Sequence, residues 1–266
     1  MRTQKTQYYK DPLNDDFTKA QVKMKHLPEN FRYLHKGLVY YVFSCFLYYV
    51  IAIPVLWLVG KIGWSFRVVG AKKIRKAHLR HGYFLYGNHT SVGDGMFAPT
   101  VITNPRKSFL VCSREAVSIP GIRYLEVMLG AMPLPETPKQ TEKFIEAISH
   151  RYYVGNPIII FPEAHIWPYC TRIRPFPETS FTYPAQLGAP VFAMCTTYEE
   201  HRIFKFRKPR PVVHVSDPIY PDMSKPLKER TKLLREAVYG YMVDVSSSFE
   251  NVEYIRYLPL KDDEKK

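Results

Sequence analysis

Paired cysteines are absent from this sequence. Its four cysteines, Cys45, Cys112, Cys170 and Cys195, lie far apart, and no two of them form a C-x-x-C pair. This spacing argues against a disulfide framework and against metal ligation by cysteine, so we expect four reduced thiols and no metal site. Reduced thiols are typical of a domain that faces a reducing cytosol.

The sequence also lacks an internal repeat, a low-complexity segment and, in its polar and basic residues 1–36, the pattern of a secretory signal peptide. Acidic residues are outnumbered, since 24 Asp and Glu face 38 Lys and Arg and the formal net charge is +14. This balance favours an anionic partner such as nucleic acid, a phospholipid surface or an acidic ligand, without choosing among them. With 266 residues, the chain is long enough for one large domain with a sizeable core.

Charged residues are missing from the run between Gly37 and Gly60. As a helix this run would reach about 36 Å, enough for a hydrocarbon core of about 30 Å. Lys36 and Lys61 bracket it, and because both flanks are basic the positive-inside rule gives no orientation. A buried core helix and a true span are the alternatives. We favour a segment that dips into one leaflet, hinged near Pro54, with both flanks held against anionic headgroups.

From residue 64 onward, short apolar runs alternate with amphipathic segments. The runs predict strands at Ser65–Val69, Tyr83–Tyr86, Ser108–Cys112, Pro157–Phe161, Pro190–Thr196 and Val212–Val215. The amphipathic segments predict helices at Ala71–Arg80, Gly95–Ile102, Pro120–Leu129, Lys139–Tyr153, Thr179–Leu187 and Leu227–Val245. This alternation predicts an α/β fold with a mixed, largely parallel sheet flanked by helices. We divide the chain into a basic N-terminal segment (1–63) with its apolar membrane-associated helix (37–60), an α/β domain (64–250) and a charged tail (251–266), whose last residues, 261–266, we expect to fray.

The stretch YGNHTSVGDG places His89 five residues before Asp94, directly after a predicted strand. Catalytic side chains of open α/β sheets gather at the carboxyl ends of strands. A histidine whose second ring nitrogen is held by a carboxylate can accept a proton from an attacking hydroxyl. The alternative is a turn in which Asp94 only caps a helix.

A second constellation follows the predicted strand that ends at Phe161. Glu163, His165, Arg172 and Arg174 share the loop FPEAHIWPYCTRIRPF. A carboxylate beside two arginines could organise an anion site, because guanidinium groups pair bidentately with phosphate. A structural Glu–Arg pair in a long loop is an equally good interpretation of the same residues.

Taken in order, these blocks resemble the glycerolipid acyltransferase family that includes 1-acylglycerol-3-phosphate acyltransferases. Members carry an N/H-H-x4-D block, a G-x-x-F-x-x-R block, an F-P-E-G-T-[RS] block and an apolar strand entered through proline. The residues of this chain that match are Asn88, His89 and Asp94 in the first block, Phe161-Pro162-Glu163 in the third, and Ala189-Pro190-Val191 in the fourth. The resemblance covers roughly residues 64–220, and the apolar run before them is similar to the family's membrane-facing N-terminal helices.

The resemblance implies an enzyme that moves a fatty acyl group from acyl-CoA or acyl-carrier protein to the hydroxyl of a lysophospholipid. His89 would be the general base and Asp94 would orient it, without a cofactor, a metal or a covalent enzyme intermediate. The residues expected to bind substrate are Asn88, Glu136, Glu163, His165, Arg172 and Arg174. We expect the protein to bind membrane phospholipids, with its catalytic domain on the cytoplasmic side.

Two positions depart from the family's pattern. Glu136 ends the second block where the family has arginine, and Ala164-His165-Ile166 replaces the Gly-Thr-Arg of the third. The family's arginines are expected to bind the acceptor's phosphate, and a carboxylate there would repel a phosphate monoester. Either Arg172 and Arg174 take over that task, or the acceptor carries a phosphodiester or cationic headgroup.

Two further functions use the same observations. The altered blocks would fit a non-catalytic lipid-binding protein of the membrane surface, although the intact His–Asp pair argues against it. Nucleic-acid binding rests on the positive charge alone, and the absence of a binding motif together with the apolar run argues against it, so we expect no nucleic-acid partner.

Overall fold

A seven-stranded sheet organises the molecule, seen in a computed structural model that describes residues 5–18, 24–118, 121, 123–203 and 206–260. The strands lie in the order β2-β8-β7-β3-β6-β4-β5. Their bounds are Arg67–Val69 (β2), Tyr83–Gly87 (β3), Phe109–Cys112 (β4), Ala131–Pro133 (β5), Pro157–Ile160 (β6), Val191–Glu199 (β7) and Arg210–Val215 (β8). All neighbours pair in parallel except β7 and β8. The predicted mixed, largely parallel sheet is confirmed.

Helices cover both faces of this sheet. They are Leu38–Trp64 (α1, which contains π-helical turns at Leu47–Ala52 and Gly60–Trp64), Lys72–Lys76 (α2), Phe97–Ile102 (α3), Arg123–Leu129 (α4), Pro138–Tyr153 (α5), Thr182–Leu187 (α6, after a 3-10 turn at Thr179–Phe181) and Leu227–Ser248 (α7). Most of these elements overlap the predicted ones. Helix α2 ends earlier than predicted because His78 adopts a left-handed conformation with φ 47°. Pro120, the predicted start of α4, and the predicted frayed tail over residues 261–266 lie outside the described residues.

Successive side chains of β3 point to opposite faces of the sheet and join two hydrophobic cores. Phe84 and Tyr86 face the core that α5 and α7 cover, whereas Tyr83 and Leu85 face the core beside α2 and α3. All four side chains are almost fully buried. Successive residues of a strand point to opposite faces, so a central strand needs apolar residues at every position. Strand β3 is therefore held rigidly between two cores, and the residues that follow it inherit a defined position.

A second sheet pairs the two ends of the chain. Lys5–Tyr9 (β1) lies parallel to Ile255–Pro259 (β9), within ranges that the sequence assigned to a polar segment and a charged tail. The ring of Trp167 packs against Tyr9 and Tyr257 beneath this pair, at centroid distances of 4.9 and 4.8 Å. The two ends of the chain are thus joined above the loop that follows β6.

Helix α1 lies against the domain with one side and exposes the other. Ser44 donates to the carbonyl oxygen of Met128 at 2.7 Å, and the Tyr48 hydroxyl lies 2.9 Å from that of Ser108. Most apolar side chains of α1 are exposed. Within the described residues, α1 is the one helix that is long and apolar enough to cross a membrane. The buried-core alternative is not what the structure shows.

We predict that a methyl group added at Gly82, which precedes β3, destabilises the fold. A Cβ there would lie 2.1 Å from the backbone oxygen of Asn156, so Gly82→Ala should lower the free energy of unfolding by about 1–3 kcal/mol. Gly240 in α7 is the control, because a Cβ there meets nothing within 4 Å and alanine favours a helix by about 1 kcal/mol. Urea unfolding in detergent micelles measures both. A Gly82→Ala variant as stable as wild type would contradict the prediction.

Candidate active site

The candidate base lies just beyond the carboxyl end of β3. Asn88, which immediately precedes it, is 1% exposed and uses both ends of its amide on β7. Its Nδ2 donates to the oxygen of Thr196 at 3.1 Å, and its Oδ1 accepts from the Thr196 N–H at 2.7 Å. The side chain thus continues the β3–β7 ladder by one residue. Asn88 was expected to bind substrate, and its geometry indicates a structural function that holds the backbone before His89.

His89 and Asp94 form the pair that the sequence predicts. Nδ1 of His89 lies 3.3 Å from Oδ2 of Asp94. The same carboxylate oxygen accepts the N–H groups of Thr90 and Ser91 at 2.6 and 2.7 Å. Because a carboxylate can only accept, the proton of a neutral His89 resides on Nδ1, and Nε2 is left as the basic nitrogen. Asp94 does not open a helix, since α3 begins three residues later.

Neighbouring groups restrict the His89 ring and its backbone. Phe161 stacks on the imidazole, with ring centroids 4.4 Å apart and planes inclined by 17°. The N–H of His89 donates to Glu163 at 3.0 Å, and its carbonyl accepts from the N–H of Trp167 at 3.1 Å. The side chain is 16% exposed, so the base is partly screened from water and still accessible. These contacts pre-organise His89 for proton transfer.

Glu163 and Arg174 form a buried ion pair beside the base. Oε2 of Glu163 accepts from Nη2 of Arg174 at 2.9 Å, and the two side chains are 1% and 4% exposed. Oε1 of Glu163 also accepts the Arg174 N–H at 2.9 Å, while the guanidinium lies over the ring of Trp167. Both residues were expected to bind substrate. Their geometry favours the structural Glu–Arg alternative, because the guanidinium is buried and its Nη2 bonds inside the protein, while Nε and Nη1 have no hydrogen-bond partner among the described residues.

The other predicted substrate-binding residues contact the ends of the chain. Arg172 donates to the carbonyl oxygen of Tyr257, and His165 lies 3.5 Å from the carboxylate of Asp16. Glu136 accepts the Leu27 N–H at 2.8 Å and contacts His26 and Arg114. The structure therefore joins Asn88, His89, Asp94, Glu163 and Arg174 in one cluster. His165, Arg172 and Glu136 bind the N- and C-terminal segments around it.

Tyr198 is a residue of the cluster that the sequence analysis missed. Its hydroxyl donates to Oγ1 of Thr90 at 2.9 Å and lies 3.2 Å from the Thr90 carbonyl oxygen. Burial, together with the nearby Asp94 carboxylate, raises the pKa of Tyr198 well above its ordinary value, so the hydroxyl remains a donor. The only sequence signal is a tyrosine at the end of an apolar strand run, which core packing explains equally well.

Within the described residues, no group of three or more His, Cys, Asp and Glu side chains is arranged to hold a metal ion. All four cysteines are free thiols, and Cys170 and Cys195 are buried. The cluster instead offers a histidine base, a fixed carboxylate and a rigid backbone, which are the parts that proton abstraction from a hydroxyl requires.

A His–Asp pair at the carboxyl end of a central parallel strand suits acyl transfer to a hydroxyl, and the comparisons with known proteins show an enzyme of this class. The Acyltransferase family model matches residues 65–197, which is half of the chain, so the chain belongs to the Acyltransferase family. The resemblance found in the sequence is confirmed, and the protein is an acyltransferase enzyme.

Among solved structures, one that is similar over most of both chains illustrates the fold. It is the 1-acyl-sn-glycerophosphate (LPA) acyltransferase PlsC from Thermotoga maritima, with 18% identity, 80% of this chain and 90% of that chain covered, and a TM-score of 0.56. This likeness shows a shared fold. No curated protein matches the chain in sequence.

We predict that Glu163→Ala lowers the free energy of unfolding by about 3–5 kcal/mol, because it leaves the Arg174 charge buried without its partner. The matched control is Glu236→Ala. Glu236 pairs with Lys232 at 3.8 Å on the surface, where such pairs contribute less than about 1 kcal/mol. Urea unfolding in micelles distinguishes the two. Equal stabilities of the two variants would show that the buried pair is not a structural tie.

Proposed function

We propose that the protein transfers a fatty acyl group from acyl-CoA or acyl-carrier protein to the hydroxyl of a lysophospholipid, in phospholipid synthesis or remodelling. The observation that carries this proposal is the 3.3 Å contact between His89 and Asp94 at the carboxyl end of β3. Family membership and the fold shared with an enzyme whose name gives a lysophosphatidate acceptor support the choice of a glycerolipid. A non-catalytic lipid-binding protein would not need this intact pair.

The reaction needs one proton to move twice. Nε2 of His89 takes the proton of the acceptor hydroxyl as its oxygen attacks the carbonyl carbon of the thioester. Asp94 stabilises the imidazolium that forms, because its carboxylate faces Nδ1. The tetrahedral intermediate then loses its C–S bond, and the imidazolium returns the proton to the departing thiolate. The products are an ester and a free thiol, and the base is regenerated.

The surroundings favour an acceptor without a phosphate monoester as a second candidate. Arg174 is paired with Glu163, and Arg172 is bonded to a backbone oxygen of β9. Arg174 is buried and its charge is neutralised by Glu163, while Arg172 is held by β9, so neither arginine offers the exposed, unpaired charge of the family's phosphate-binding arginines. A lysolipid with a phosphodiester headgroup needs less positive charge at this edge of the sheet.

The docking of α1 supports insertion into one leaflet. The helix contacts the domain from Ser44, against Met128, to Gly60, against Phe66 and Phe97. These contacts extend over about 24 Å, which is most of a hydrocarbon core of about 30 Å. A perpendicular span would carry the attached domain into the bilayer, whereas a tilted or shallow helix would bury its exposed side alone. We place the domain on the cytoplasmic side, in keeping with its free thiols.

We predict that His89→Ala reduces acyl transfer by about 10²–10⁴-fold or more, because the attacking hydroxyl loses its base. Purified protein is assayed with labelled acyl-CoA and acyl-carrier protein against a panel of lysolipids, with products identified by mass spectrometry. His150→Ala, an exposed histidine of α5, is the control and should retain activity. Wild-type turnover by a folded His89→Ala variant would end the proposal.

We predict that both flanks of α1 are accessible from the same side of the membrane. Lys36 precedes α1 in the sequence, Lys76 follows it, and both are exposed. Lys36→Cys and Lys76→Cys therefore each introduce a thiol that a membrane-impermeant maleimide can label. The wild-type chain in the same vesicles gives the background labelling of its own cysteines. Labelling of the two variants from opposite sides would establish a true span.

A further inference from the structure

The two positions that depart from the family's motif blocks share one structural property. His165 and Glu136 both contact the N-terminal strap, by which we mean the described residues 5–18 and 24–34. Among the other predicted substrate-binding residues, Asn88, Glu163 and Arg174 bond within the domain, and Arg172 bonds to β9. His165 and Glu136 therefore contact the same segment, which suggests that they share one function.

The first anchor of the strap lies beside the catalytic loop. Asp16 contacts His165 at 3.5 Å, and the ring of Phe17 packs against that of Trp167 at 5.1 Å. The indole N–H of Trp167 donates to the carbonyl oxygen of Asp15 at 2.7 Å. Because the backbone N–H of Trp167 also donates to the carbonyl of His89, one residue separates this anchor from the base.

The second anchor lies at the end of β5. The carboxylate of Glu136 receives the backbone N–H of Leu27 at 2.8 Å and contacts His26 at 2.9 Å. The Leu27 N–H, the His26 ring and Arg114 together hold the pKa of Glu136 below its ordinary value, so the residue is anionic at neutral pH. Gln140 adds a donor to the oxygen of Pro28 at 3.1 Å. The strap is thus fixed by several polar contacts at this point.

Both anchors lie at the edge of the sheet where the base is found. Strands β3, β6, β4 and β5 are consecutive neighbours and run parallel, so their carboxyl ends meet at one edge. His89 follows β3, His165 follows β6, and Glu136 follows β5. An acceptor that approaches His89 from this edge therefore meets a border to which the strap is attached at two points.

We propose that the N-terminal strap is the acceptor-specificity element of this enzyme and selects lysolipids whose headgroup is not a phosphate monoester. The proposal rests on the proposed function. Asp16 and Glu136 place a carboxylate at each anchor, and Glu136 occupies the guanidinium of Arg114. The nearby guanidinium groups of Arg114 and Arg174 are already neutralised by Glu136 and Glu163, so a phosphate dianion between the anchors gains little attraction and meets two further carboxylates, whereas a zwitterionic headgroup has a cationic end to offer.

The test compares two acceptors in the full-length enzyme with one acyl-CoA as donor. Glu136→Gln removes the second anchor's charge and releases Arg114, and Asp16→Ala removes the first anchor's carboxylate. We expect the ratio of kcat/KM for lysophosphatidate to that for lysophosphatidylcholine to rise about tenfold in Glu136→Gln and further in the double variant. The KM for acyl-CoA should not change.

Glu29→Gln is the matched control. Glu29 is also an acid of the strap, but it is 77% exposed and pairs with the exposed Lys139 at 3.6 Å, so its substitution neither releases Arg114 nor removes the carboxylate of Asp16 or Glu136. Its acceptor ratio should equal that of wild type. Asp16 is 43% exposed, so Asp16→Ala should fold even if Glu136→Gln does not, and it alone should shift the ratio in the same direction.

Any one of four outcomes would overturn the proposal. A wild-type preference for lysophosphatidate, or an unchanged ratio in both anchor variants, contradicts selection by the strap. An equal loss for both acceptors would make the strap a purely structural tie. Wild type that transfers to no lysolipid at all removes the proposed function and this proposal together, whereas an active wild type with an unshifted ratio removes only the strap's role.

Discussion

The position of His89, the candidate base, depends on one buried carboxylate. Glu163 accepts from the His89 backbone with one oxygen and from the Arg174 backbone with the other, so it joins the loop after β3 to the loop after β6. A carboxylate this deeply buried is tolerable only because Arg174 neutralises it and each oxygen has a donor. The backbone position of His89 thus relies on a buried charge pair, which gives Glu163 of the Phe-Pro-Glu block a structural function in this chain.

Most of the sheet was predictable because its central strands are short, apolar and flanked by polar turns. Strand β3 and helix α5 lie where the sequence pattern predicts them. Strand β3 is buried on both faces and is therefore a continuous apolar run, whereas α5 is buried on one face and is therefore amphipathic. Strands β1, β5 and β9 were not predicted. Each is short, and the pairing of β1 with β9 depends on residues almost the whole chain apart, which no local pattern reports.

The candidate site was predictable where local spacing decides it. Asp94 contacts His89 across a tight turn and accepts hydrogen bonds from two N–H groups of the same turn. The contact therefore depends on only six consecutive residues. The functions of Asn88, Glu163 and Arg174 depend on which groups surround them in the fold. From the sequence alone, Asn88 could bind a ligand and Arg174 could bind an anion. In the fold, the Asn88 amide bonds to β7 and the Arg174 guanidinium pairs with Glu163. Residue type alone cannot separate these cases.

The family match spans residues 65–197, yet the surroundings of the base extend well beyond it. Trp167, which bonds to the His89 backbone, is packed by Phe17 from one end of the chain and Tyr257 from the other. The parallel pairing of β1 with β9 holds these two terminal segments together beside Trp167. The matched region therefore supplies the His89–Asp94 pair, while residues outside it complete the surroundings of that pair at the carboxyl edge of the sheet. A change in the terminal segments of this chain can therefore alter the surroundings of His89 without any change at His89 or Asp94, because Phe17 and Tyr257 contact Trp167 and not the side chains of that pair.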